Sequence, residues 1–247
     1  MTKPKSEIAP AEEGFSLIPN RKLLAMYAAM LQCRRMAESS RQQSKTRSPA
    51  DSILGCEAAA VGATFDLGPR DTVVPRLWPD AAFKAINPSV VVASGFALAA
   101  RSALANKDNQ QITLLFSSGK AGSQSSWLKA LTVAAERDLP ILFVSLERQA
   151  NSHSHAKVVA IPLKKNGYAV PFISVDGNDV VAVYRVASEA ITHARKGNGP
   201  TLIDCRLSPP DDPLENMKKY LVGKGLDPAI LAPSVNPHFA KRRTRSQ

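Results

Sequence analysis

The chain has 247 residues, 44% of them hydrophobic and 21% charged, and a formal net charge of +11. That balance is ordinary for a soluble globular protein long enough to bury a sizeable core. It excludes a membrane span, because no apolar run approaches the roughly 20 residues a spanning helix needs, and the scatter of Cys33, Cys56 and Cys205 excludes a disulfide framework or a zinc site.

Residues 1–19 open with "MTKPKSEIAPAEEGFS", polar and of mixed charge. They read as a disordered lead without the apolar stretch of a secretory signal, so the expected location is the cytoplasm. Residues 21–43 carry Leu23, Leu24, Tyr27, Met30, Leu31 and Met36 in one stripe, the spacing of an amphipathic helix. "LGCEAAAVGATFDLG" predicts a short Ala-rich helix stopped by Gly68-Pro69, and "DTVVP" a brief strand. Residues 88–106 read as a small-residue helix packed closely around Gly95. From there "QITLLFS", "LPILFVSL", "AVPFISVDG" and "GPTLIDCRL" predict apolar strands, with helices over "SQSSWLKALTVAAERD" and "NDVVAVYRVASEAITHARKG". Near-continuous apolar strands alternating with helices imply a parallel sheet covered on both faces. "DDPLENMKKYLVGKG" predicts a last helix. Asp179 and Asp212 sit where N-caps belong, and that structural role outweighs a catalytic one.

Residues 20–232 thus form the expected domain, followed by a basic tail over 233–247 in which Lys241, Arg242, Arg243 and Arg245 supply four of the positive charges. A basic end of this kind is an ordinary solvated tail, and no aromatic-rich platform or groove-reading motif supports nucleic-acid binding. His153 and His155 have the spacing of a chelating pair without a third ligand, and the serines around Ser118 lack the His or Asp of a nucleophile elbow.

Several stretches together resemble the alpha subunit of thiamine-diphosphate-dependent 2-oxo acid dehydrogenases of the pyruvate and branched-chain type. "GCEAAAVG" is similar to GQEAxxVG with Cys56 replacing Gln, and "RDTVVP" to GDxxxP. "SQSSWLKALTVAAERDLPILFV" is similar to SEGxFHEALNxAAxxxLPVIFV. "VDGNDVVAVYRVASEAITHARKGNGPTLID" follows VDGNDxxAVYxAxxxAxxxARxGxGPTLIE almost throughout, and "DDPLENMKKYLVGKGL" resembles DPxxRxxxYLxxxGL. The resemblance implies a doubly wound, mostly parallel α/β sheet with helices on both faces, the thiamine-diphosphate-binding fold. It also implies a beta-type partner subunit, with a homo-oligomer as the other possibility.

The departures fall where the family does its chemistry. The family's GDG, which gives an Asp to Mg²⁺, is here Ser118-Gly119-Lys120, and its ENN, which gives an Asn, is Leu146-Glu147-Arg148. Leu77, Trp78, Pro79 and Asp80 stand in place of a YRDH-type segment, and a long stretch with a second active-site His region is missing between Phe83 and Pro88. No catalytic residue is left to assign, no metal ligand remains, and Mg²⁺-thiamine diphosphate is not an expected cofactor. The expectation is a shortened, catalytically degenerate member acting as an assembly or scaffold subunit. The alternative is an active enzyme with an altered diphosphate site, in which Lys120 and Arg148 contact phosphate beside Gly119 without metal.

Overall fold

In the computed structural model the described residues are 18–43, 54–75, 83–84, 86–92, 101, 103–105, 107–118, 124–148, 170–208 and 211–231. They form helix α1 (Asn20–Gln43), helix α2 (Glu57–Thr64), strand β1 (Thr72–Val74), strand β2 (Val91–Val92) and strand β3 (Thr113–Ser118). Helix α3 (Gln124–Glu136), strand β4 (Ile141–Arg148), strand β5 (Phe172–Asp176), helix α4 (Val180–Arg195), strand β6 (Thr201–Leu207) and helix α5 (Pro213–Gly223) complete the order. The strands make one sheet in the order β2-β1-β3-β4-β6-β5, and every pair is parallel.

The apolar strand runs explain why both faces are covered. Successive side chains point to opposite faces, and the register divides them cleanly. Leu114, Phe116, Leu142, Val144, Leu146, Ile203, Cys205 and Leu207 join one core with residues of α1, α2, α4 and α5. Leu115, Ile141, Phe143 and Leu202 join a second core with Leu131 and Ala134 of α3. The doubly wound α/β arrangement expected from the sequence is the arrangement found.

The larger core depends on small residues and on caps. All eight residues of α2 are buried, and its three consecutive alanines let neighbouring helices close around it. Asp179 caps α4 by accepting hydrogen bonds from the Val181 and Ala182 amides, and Asp212 caps α5 by accepting from Leu214 ahead of Pro213. Both expected caps are present. Cys33, Cys56 and Cys205 are free and buried.

One expectation needs correction. Residues 88–106 do not form a single helix: Val91 and Val92 pair with Thr72 and Val73 as an edge strand. Among the described residues of that stretch, helical backbone is found at Arg101 and residues 103–105. Three consecutive valines, Val90 to Val92, favour extended backbone. In α1 the expected Leu23, Tyr27 and Met30 are buried and Leu24 and Leu31 pack half-buried against the same core, while Met36 is half-buried and Met26, Ala29, Cys33 and Ala37 widen the buried face. Gly95 and the tail beyond residue 231 lie outside the described residues.

Candidate functional site

In an open parallel sheet, ligands bind beyond the carboxyl ends of the strands, where neighbouring strands send their connections in opposite directions. Here β1 and β3 are neighbours; the chain leaves β1 for β2 on one side and β3 for β4 on the other. The crevice therefore opens after Val74 of β1 and Ser118 of β3. Gly119 and Lys120 follow Ser118 directly in the sequence and lie outside the described residues. Arg148 is the last residue of β4, in register with Leu207. Ser118 pairs with Leu146, so β4 runs two residues past the end of β3. The backbone thus puts the end of β3, which Gly119 and Lys120 follow in sequence, beside the end of β4, with the two strands about 4.8 Å apart.

The chemistry of these positions does not suit magnesium. Mg²⁺ requires oxygen ligands in near-octahedral geometry. A glycine has no side-chain oxygen, and a guanidinium has only donors and a fixed positive charge. The two positions that the resemblance assigns to metal ligands therefore do not fit Mg²⁺.

Carboxylates elsewhere in the motifs are engaged in the fold. Glu57 is wholly buried, accepting from Nε of Arg34 at 2.5 Å and from the Gly55 amide at 2.9 Å. Asp71, from the "RDTVVP" stretch, accepts from the Ile112 amide at 2.8 Å, the Gly68 amide at 2.6 Å and Nη2 of Arg195 at 2.6 Å. It sits before β1, at the end of the sheet opposite the crevice. Asp66, Lys22 and Tyr184 form a hydrogen-bonded triangle joining α1 and α4 to the turn after α2, with Nζ of Lys22 2.9 Å from Asp66 and 2.5 Å from Tyr184. The Asp66 and Tyr184 partners raise the Lys22 ammonium pKa although burial opposes it. Burial also pushes the thiols of Cys33 and Cys205 well above the usual range, so neither is a ready nucleophile.

The sequence reading missed a set of polar residues beneath the crevice. On the α3-covered face, Leu115, Phe143, Leu202 and Phe172 form one apolar rung across four strands. The next rung toward the carboxyl ends is Ser117, Ser145, Asp204 and Ser174. Beyond it lie Glu147, Arg206 and Asp176 in register. Ser117, Ser145 and Asp204 are all buried. The opposite face stays apolar to Leu146, Cys205 and Leu207. The signal was present in "ILFVSL" and "TLIDCRL", where a serine and an aspartate interrupt buried apolar strands.

Among the described residues no three His, Cys, Asp or Glu side chains gather as a metal site. No helix among them is long and apolar enough to cross a membrane. Leu77, Trp78, Pro79, Asp80, His153 and His155 lie outside the described residues.

Comparison with known proteins adds an independent line. The family described as dehydrogenase E1 component matches residues 84–207, half of the chain. The alpha subunit of acetoin:2,6-dichlorophenolindophenol oxidoreductase from Bacillus subtilis is 36% identical over 121 residues, covering 47% of this chain and 36% of that protein. The chloroplastic pyruvate dehydrogenase E1 component subunit alpha-3 of Arabidopsis thaliana is 32% identical over 168 residues, covering 57% of this chain and 39% of that protein. The alpha subunit of 3-methyl-2-oxobutanoate dehydrogenase from Mycobacterium tuberculosis is 39% identical over 138 residues, covering 52% and 36%. The chain thus spans well under half the length of each of these three relatives.

Proposed function

The chain belongs to the dehydrogenase E1 component family, and on that premise we propose that it is a catalytically degenerate alpha-subunit-like protein that serves assembly. The observation that carries this reading is the pair of exchanges at the crevice. Gly119 follows β3 and Arg148 ends β4, and neither offers an oxygen to a metal. The strands and helices around them are retained, so the fold has outlived that part of its chemistry. Its partner is a beta-type dehydrogenase subunit; the curated relatives are themselves alpha subunits. A protein of this kind works in the cytoplasm as a scaffold or assembly subunit.

The competing reading keeps an enzyme. Lys120 as a point charge and Arg148 as a planar fork supply two positive charges to a diphosphate in place of the metal. Calorimetric titration of the full chain with thiamine diphosphate, with and without Mg²⁺, separates the two. The degenerate subunit gives no heat of binding in either case. Binding that requires Mg²⁺ sinks the proposal. Metal-free binding that Lys120→Ala and Arg148→Ala each weaken about tenfold, the loss of one charge-assisted contact, transfers the weight to the enzyme.

A further inference from the structure

The polar rung beneath the crevice contains one group whose surroundings do not balance it. Asp204 is 5% exposed. Its Oδ2 has only Nε of Arg206, at 3.4 Å, while Oδ1 is buried and has no hydrogen-bond partner among the described residues. The floor below is the apolar rung of Leu115, Phe143 and Leu202. A buried carboxyl oxygen without a hydrogen-bond partner is a costly arrangement for a fold to hold. An ordered water would satisfy its hydrogen bonding but leave its charge.

In the described part of the two upper rungs the carboxylates of Asp204 and Asp176 stand against the guanidinium of Arg206, a formal −1. Next to Asp204 in register on β4 stands the buried hydroxyl of Ser145. A carboxylate oxygen beside a hydroxyl oxygen is a hard donor pair, suited to alkali and alkaline-earth ions rather than to softer metals. The geometry points to a small hard cation bound by Oδ1 of Asp204 with Ser145 as a neutral co-ligand, under the carboxyl ends of β4 and β6. This site is separate from Gly119 and Arg148, and it does not depend on whether the chain retains thiamine diphosphate, since the probe is the cation alone.

Thermal unfolding of the full chain tests it, in NaCl, KCl, MgCl2 and CaCl2 at matched ionic strength, with tetramethylammonium chloride as the reference too large to enter. At least one of the four ions raises Tm by roughly 5–10 °C at a hundredfold excess over its half-saturating concentration. Valence is read from which ion does so. Asp204→Asn abolishes that rise. Ser145→Ala keeps the rise but shifts half-saturation several-fold upward. Equal Tm in all five salts overturns the inference, and so does a rise that survives Asp204→Asn. Should Asp204→Asn fail to fold, an unchanged half-saturation in Ser145→Ala overturns it instead.

Discussion

Arg34 links three helices with one side chain. Its Nε meets Glu57 of α2 at 2.5 Å, and its two Nη atoms meet the carboxylate of Asp212 before α5 at 3.0 Å each. Burial works against the guanidinium charge, but hydrogen bonds to Glu57 and Asp212 outweigh it and hold its pKa above the usual range. The two arms differ in weight. The Glu57 side chain is completely buried, so removing its partner leaves a dry, unpaired carboxylate; that of Asp212 is 40% exposed and can return to water. Arg34→Met therefore destabilises the protein by about 3–5 kcal/mol, nearly all through Glu57. Adding Glu57→Gln to that variant recovers part of the loss. Urea unfolding of the three proteins checks this, and a loss below about 1 kcal/mol for Arg34→Met would contradict the assignment of Glu57 as a paired charge.

At the scale of elements, the contact between α2 and α4 is set by a missing side chain. A Cβ built on Gly62 would lie 2.8 Å from Cβ of Val183 and 3.0 Å from the Tyr184 amide nitrogen. Rotamer changes cannot move either atom, because one is fixed to the backbone and the other belongs to it. Alanine's helix propensity favours Gly62→Ala by up to about 1 kcal/mol, while overpacking costs about 1–3 kcal/mol. The overlap prevails, and Gly62→Ala lowers stability by roughly 1–2 kcal/mol. Gly223, at the end of α5, has open space where its Cβ would be, so Gly223→Ala is neutral or slightly stabilising. Opposite signs in one denaturation series distinguish packing from propensity. The elements themselves were largely legible in the sequence, since continuous Ile, Leu, Val and Phe runs mark strands buried on both faces. Strand β2 was not, because two residues carry no period and pair only through β1, a tertiary fact. The added width of the buried face of α1 escaped for the same reason: Cys33 and Ala37 are buried by what packs on them, and Arg34 is drawn inward by Glu57.

For the whole molecule, strand–helix order in the sequence put Gly119 just after one strand and Arg148 at the end of the next, and the register shows that β3 and β4 are neighbours. The rung of Ser117, Ser145 and Asp204 depends on strand order across the sheet, which puts β6 beside β4 although the chain visits β5 between them. No local pattern encodes that crossover. The same long-range closure shapes the response to acid. Asp212 lies at 178 residues' separation from Arg34, and that guanidinium holds its carboxyl pKa below the ordinary value of 3.8, with the Leu214 amide assisting against burial. A depressed carboxyl pKa contributes stability above the unfolded-state value, and that contribution is lost as pH falls through the folded-state value. Asp212→Asn keeps the helix cap but removes the charge from Arg34. The variant therefore melts about 1–2 °C below the parent at pH 7, after allowance for solvent screening of an exposed pair. The gap persists down to about pH 4 and closes below it, as Asp212 protonates in the parent. Meanwhile both proteins lose stability together, because protonating their other carboxylates raises a net charge that already stands at +11. Melting curves taken from pH 7 to pH 2.5 check the sign: a gap that widens on acidification would mean that Asp212 is bound as an acid rather than as the carboxylate that Arg34 holds.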